Sequence, residues 1–146
     1  MVMNIKKSAR GYIASGEYHG SRTPQHIQNQ IVKLYCDAHD LNFVLSRAEY
    51  WINGNTHCQL WAALKEGFKH IVFFSYLQLP LNEKEREEIY KHCRKNQIAL
   101  HFATERISTN ADIQSFDDLE LLMKSHLLMA TVFDCNNHLE VLRKLI

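Results

Sequence analysis

Short apolar runs alternate with stretches of helical periodicity along the first two thirds of the chain, which is the pattern of a parallel sheet with helices packed against it. Four runs have strand length: "RGYIAS" (10–15), "LNFVLS" (41–46), "HIVFFSY" (70–76) and "IALHFAT" (98–104). The second and third are bounded apolar runs suited to burial on both faces. Between the first two, Ile27, Ile31, Leu34, Tyr35 and Ala38 recur at helical spacing. Thr23 is placed to cap this helix, with Pro24 at its first position.

A second helix is expected over 57–69, burying Leu60, Trp61, Leu64 and Phe68 after the turn "NGNT". A third is expected over 83–95, where Asn82 can cap and Glu85 can answer it three residues later. Its charge-rich middle, "EKEREE", reads as a solvated face. Beyond residue 104 the polar connection "ERISTNADIQSF" leads to a long helix that opens with Ser115 as cap and Asp118 in its first turn. A further short helix follows, apolar at Leu139, Leu142, Leu145 and Ile146. Leu121, Leu122, Leu127, Leu128 and Met129 give the longer helix more apolar surface than one stripe needs, so self-association through the C-terminal helices is expected.

The expected fold is therefore α/β: three layers around a mainly parallel four-stranded sheet in the flavodoxin-like order 2-1-3-4, with a C-terminal helical extension. One domain is expected over residues 1–146, its core about 9–106 and its C-terminal helices about 115–146. A chain of 146 residues suits one ordinary domain. Lys and Arg number 17 against 16 Asp and Glu, so composition supplies no general attraction to nucleic acid or membrane. The apolar run near the N-terminus is too short for a signal-peptide core or a membrane span, and a cytoplasmic protein is expected. Cys36, Cys58, Cys93 and Cys135 stand singly, without zinc-site spacing or the density of a disulfide scaffold. No metal site is expected, and no motif indicates a cofactor.

In an open parallel sheet, ligands bind beyond the carboxyl ends of the strands, where strand order reverses. Order 2-1-3-4 puts that reversal between strands one and three, beside "SGEYHGSRTPQH" and "SYLQLP". The start of the first helix then offers backbone N–H groups and a dipole to a phosphate or carboxylate. Arg22, Gln25 and Asn29 are candidate binding groups there, joined from the strands and their ends by Arg10, Tyr12, Ser15, Tyr50, Ser75 and Gln78. His26, Glu49 and Glu105 are the candidate proton-handling groups. His101, inside an apolar strand, reads as a hydrogen-bonded core residue. The chain has no GxSxG elbow, P-loop or GxGxxG fingerprint.

Two resemblances attach to these residues. "GYIAS", "QNQIVKLYCDAHDL" and "LHFATERIST" resemble the catalytic domain of serine recombinases of the resolvase and invertase type over roughly residues 10–110. Ala14 stands where that family's first-strand arginine would be, and Ser15 lies one residue too close to Tyr12. "FSYLQLP" lacks the paired arginines that clamp the scissile phosphate, so DNA strand exchange is not implied. The chain is also similar, over most of residues 9–106, to a family of small proteins encoded sporadically in bacterial carbohydrate-biosynthesis gene clusters. The shared motifs are "RGYIAS", "PQHxQN", the Ser46–Tyr50 segment, "FSYLQLP" and "LHFA-x-E". That resemblance implies a role in making a surface polysaccharide or its sugar precursors.

The leading expectation is an enzyme acting on a sugar, sugar phosphate or sugar nucleotide, with Arg22 and the helix start holding its anionic group. The alternative is a non-catalytic sugar-nucleotide-binding or scaffolding subunit of such a pathway. A degenerate recombinase-like domain stands third.

Overall fold

A computed structural model of the chain describes residues 7–16, 22–50, 57–109 and 113–144, with the backbone alone at 113–115 and 130–142. Five strands form one sheet in the order β2-β1-β3-β4-β5. They are β1 (Lys7–Ser15), β2 (Leu41–Tyr50), β3 (His70–Phe73), β4 (Ala99–Phe102) and β5 (Ile107–Ser108). The first four are parallel, in the expected order 2-1-3-4, and β5 runs antiparallel to β4. The fifth strand is the departure from a four-stranded sheet. Its two residues lie in a stretch that shows no alternation, so only the partner strand makes them a strand.

Three helices connect the parallel strands: α1 (Gln25–Ala38), α2 (Cys58–Leu64) and α3 (Glu83–Asn96). Helix α1 covers one face. There Ala9, Ile13, Val72 and Ala103 of the sheet and its margins pack with Val32, Tyr35 and Cys36. On the other face Tyr12, Ile71, Phe73, Leu100 and Phe102 pack with Leu60 and Leu64 of α2 and with Ile89, Tyr90 and Cys93 of α3. Strand alternation sorts β1 between the two cores, Ala9 and Ile13 to one and Tyr12 to the other.

Gly11 is required by close approach rather than by a turn. A Cβ there would lie 2.3 Å from Ser46 Oγ and 2.9 Å from a Phe43 ring carbon. Helix α1 is rotated from the expected stripe, since Ile27 and Leu34 are exposed while Gln28, Val32, Tyr35 and Cys36 are buried. A glutamine inside is stable only if its amide is bonded, and Gln28 is bonded, as described below. Pro24, not Thr23, occupies the N-cap position, and no side chain caps there. Helix α2 is shorter than the expected 57–69, and the turn "NGNT" lies outside the described residues. In α3 the Asn82 side chain accepts from Glu85 N at 3.1 Å, as the sequence implies. The Glu85 carboxylate instead accepts from Trp61 Nε1 at 3.2 Å.

The expected solvated face of "EKEREE" is breached by Arg86, which is 1% exposed. Its guanidinium pairs with Glu120 at 2.6 Å and donates to the carbonyls of Pro80 and Leu81. Where two C-terminal helices were expected, a single helix α4 runs from Ile113 to Lys144. No glycine or proline interrupts that span, and the polar "DCNN" costs a helix only tenths of a kcal/mol per residue, in the range of about 0.7 or less. Phe116, Leu119 and Met123 bury its first turns, whereas Leu121, Leu122, Leu128 and Met129 are exposed. The expected apolar positions Leu145 and Ile146 lie outside the described residues, as do the side chains of Cys135, Leu139 and Leu142. Among the described residues no helix is long and apolar enough to cross a membrane.

Candidate functional site

The parallel register brings the carboxyl ends of β1, β2, β3 and β4 to one edge, and most of the expected site residues lie there. What each does is decided by its hydrogen bonds. Glu49, near the end of β2, is 3% exposed. One carboxylate oxygen accepts from Tyr12 Oη at 3.2 Å, from Gln59 N at 2.9 Å and from Leu60 N at 3.2 Å. Residue His57 provides no side-chain cap to α2, so Glu49 serves as that cap from a neighbouring strand. A carboxylate suits the place because the first N–H groups of a helix lack partners and carry its positive dipole end.

Gln28 performs the corresponding task for β1. Ala14 N donates to Gln28 Oε1 at 3.0 Å, and Gln28 Nε2 donates to the carbonyls of Ala14 and Thr23, both at 2.7 Å. Gln78 Nε2 also donates to Gln28 Oε1, at 2.8 Å. Two fully buried amides thus fasten the ends of β1 and β3 to the start of α1. Gln78 Oε1 is the exception among these oxygens, buried without a hydrogen bond among the described residues.

Ser15, Asn29, Ser75 and Glu105 are also engaged. Ser15 Oγ donates to the Glu49 carbonyl at 3.3 Å, and Ser46 Oγ donates to Asn29 Oδ1 at 2.6 Å. Ser75 caps the short 3-10 turn at Tyr76–Gln78 by accepting from Leu77 N. Glu105 accepts from Tyr76 N at 2.7 Å and interacts with the Ser75 hydroxyl. Burial outweighs these two bonds and raises its pKa above the ordinary carboxylate value. Arg22, His26 and Tyr50 stand exposed, and Gln25 is half-buried. Arg10 lies apart from the edge. Its guanidinium bonds to Glu66 at 2.8 Å, stacks 4.6 Å from the Phe68 ring centroid, and so belongs to the surface beside α2.

Ser75, Gln78 and Glu105 therefore gather around the β3 end, Tyr12, Ser15 and Glu49 around the β1–β2 end, and Arg22, Gln25 and His26 on the start of α1.

A second polar cluster leaves no local pattern in the sequence. Tyr35 Oη and His101 Nδ1 are 2.8 Å apart, and His101 Nε2 and His70 Nδ1 are 2.9 Å apart. His39 stacks on Tyr35 with centroids 3.9 Å apart. As expected, His101 is a hydrogen-bonded core residue, and burial first, then His70 and His39, push its pKa down to about 3. His70 and His101 share a sheet face because Val72 is paired with His101, and His70 lies two residues before Val72. A histidine in each of two adjacent strands was the available signal, but only the register brings them together. Among the described residues no group of three His, Cys, Asp or Glu side chains is arranged to hold a metal ion.

No protein-family model matches the chain, and no curated protein matches it in sequence. Solved structures do share its fold. One is a resolvase family site-specific recombinase from Streptococcus pneumoniae, 11% identical, with a TM-score of 0.57 over 92% of this chain and 98% of that one. Another is the N-terminal catalytic domain of TP901-1 integrase, 13% identical, with a TM-score of 0.62 over 86% of this chain and 98% of the other. At these identities the likeness establishes a resolvase-like α/β fold.

Proposed function

We propose that the chain is a non-catalytic sugar-nucleotide-binding and scaffolding protein of bacterial surface-carbohydrate biosynthesis, working in the cytoplasm and associating with its own copies through α4. The observation that carries the non-catalytic reading is the engagement of Glu49: a buried carboxylate that accepts from a tyrosine hydroxyl and two helix N–H groups holds the architecture. Ser15, Ser75 and Glu105 are similarly tied to neighbouring backbone. Ligand contact falls to the exposed Arg22, His26 and Tyr50, where Arg22 offers a planar fork of donors to a diphosphate. The carbohydrate setting comes from the motif resemblance. Self-association is supported by Leu121, Leu122, Leu128 and Met129, which are 44–68% exposed on the α4 segment after Phe116.

Calorimetry with UDP-glucose, a turnover assay on the same sample and sedimentation at micromolar concentration test this together. Saturable binding without product is expected, weakened by about 1.5–3 kcal/mol in Arg22→Ala, the range for a charge-assisted hydrogen bond. A sedimenting dimer that becomes a monomer in Leu121→Lys/Leu128→Lys is expected as well. Turnover that disappears in His26→Ala or Glu105→Gln would replace the binding reading by the enzymatic one.

A second reading draws on the two structural likenesses: a degenerate recombinase-like domain. Ala14 in place of an arginine, and Ser15 bonded to the Glu49 carbonyl, speak against strand exchange. Binding to duplex DNA that weakens steeply with salt is the result that would favour it.

A further inference from the structure

The opposite edge of the sheet, at the amino ends of the strands, carries a cavity of about 800 Å3 that the proposed function does not use. Its lining includes Lys7 from the start of β1, Glu66, Phe68 and Lys69 from the turn before β3, His70 at the start of β3, and Gln97 after α3. The charges there do not cancel. Glu66 is bridged by both Arg10 and Arg47, and although burial acts to raise its pKa, these two guanidiniums hold it below the usual carboxylate range. Lys7 and Lys69 are left without a carboxylate of their own among the described cavity residues. Lys69 Nζ donates to the Asn96 carbonyl at 2.7 Å, which uses one of its three N–H donors.

His70 lines the cavity and is also the outer end of the buried chain to α1. Its Nδ1 faces His101, which leaves Nε2 as the ring nitrogen outside that chain. We propose that this cavity binds a phosphate group through Lys7, Lys69 and the imidazolium of His70, and that occupancy sets the direction of the hydrogen-bond chain from His70 through His101 to Tyr35.

The directional step follows from donor counting. Neutral His70 can either donate to or accept from His101 Nε2, so the chain runs either way. A protonated His70 carries hydrogen on both ring nitrogens and must donate through Nδ1. His101 Nε2 then accepts, the His101 hydrogen resides on Nδ1, and Tyr35 Oη becomes the acceptor. One proton enters from solvent, at His70. Tyr35 is then free to turn its own hydrogen toward Ser108 of β5, with which it also interacts.

The surrounding groups favour His70 as the titrating member. Burial, and secondarily the charge of Lys7, lowers its pKa. His101 is held much lower by burial, by His70 and by His39 just after α1. A phosphate beside Lys7 offsets that lysine's repulsion and pairs with the imidazolium, so occupancy raises the His70 pKa. By linkage, affinity for phosphate rises as pH falls through the His70 range.

The test is an imidazole NMR titration of the full-length protein between pH 5 and 8, in sodium phosphate and in sodium chloride at equal ionic strength. The resonance lost in His70→Gln is assigned to His70. Phosphate should raise its midpoint by about half a unit or more relative to chloride, an effect of a nearby opposite charge. The His101 resonances should change with it, and the Lys7→Gln/Lys69→Gln variant should show no difference between the salts. A midpoint that is the same in both salts, or a phosphate effect that survives the double substitution, overturns the proposal. The comparison of salts on the unaltered protein needs no variant to fold. Repeating it with glucose 1-phosphate separates a cavity that takes phosphate esters, where the shift persists, from one that takes only the free ion.

Discussion

The two edges of the sheet both carry polar residues, to opposite effect. At the carboxyl edge, where a doubly wound sheet ordinarily holds its ligand, Glu49, Gln28, Ser75 and Glu105 are bonded to backbone groups of the α2 start, the β1 end and the 3-10 turn. At the amino edge, Lys7, Lys69 and His70 surround an open volume with donors left over. Position within a fold identifies where a site would be built. Whether side chains remain available to a ligand is decided by what their hydrogen-bonding atoms already touch.

The contrast is most exposed to test through His101, which connects the amino edge to α1. Its folded pKa, about 3, lies below the unfolded value, so the unfolded chain takes up a proton that the folded chain refuses. Its contribution is complete above the unfolded value, near 6.5, and is lost as pH falls toward the folded one. Unfolding in urea should therefore show roughly 4 kcal/mol less stability at pH 3 than at pH 7 from this residue, and His101→Gln should flatten that slope. A variant with the same pH dependence as the unaltered protein would detach His101 from the picture.

At the carboxyl edge, Glu49→Ala should cost about 3 kcal/mol, since it strips acceptors from Tyr12 Oη and two N–H groups at the start of α2. Gln28→Leu should cost about 2 kcal/mol by leaving the Ala14 N–H and carbonyl unpaired. Melting and denaturant curves measure both. Retained stability in either would mean that these side chains are free for another purpose, and the edges would no longer differ. The smallest effect is expected where function is proposed. Lys69→Gln and Arg22→Ala should each stay within about 0.5 kcal/mol of the unaltered protein, as surface changes do.

Strand order was legible because buried runs of fixed length alternate with helical spacing, and short crossovers allow few arrangements. The start of α3 was legible for a local reason: Asn82 and Glu85 are three residues apart. The burial of Gln28 was not, because its partners Ala14 and Gln78 lie 14 and 50 residues away. Periodicity therefore assigned the inward face of α1 to Ile27 and Leu34, which are exposed. Arg86 was hidden in the same manner, its carboxylate partner Glu120 lying 34 residues further along. For the candidate site, the sequence located the polar strand ends but gave no account of which atoms were occupied. The His70–His101–Tyr35 chain depends on strand register and on the approach of α1, neither of which a linear pattern contains.

Helix α4 has a mechanical consequence. At 1.5 Å per residue its 32 residues extend about 48 Å, and the buried anchors among its described side chains, Phe116, Leu119 and Met123, lie within its first 11 residues. A force applied at the exposed Leu128 or Met129 would act on a lever held by those three side chains and by the Arg86–Glu120 pair, with Lys124–Glu83 and Arg94–Asp117 beside it. Load would pass to α3 and the Pro80–Leu81 carbonyls through Arg86, and to the sheet through the core that Phe116, Leu119 and Met123 share with Phe73 and Phe102.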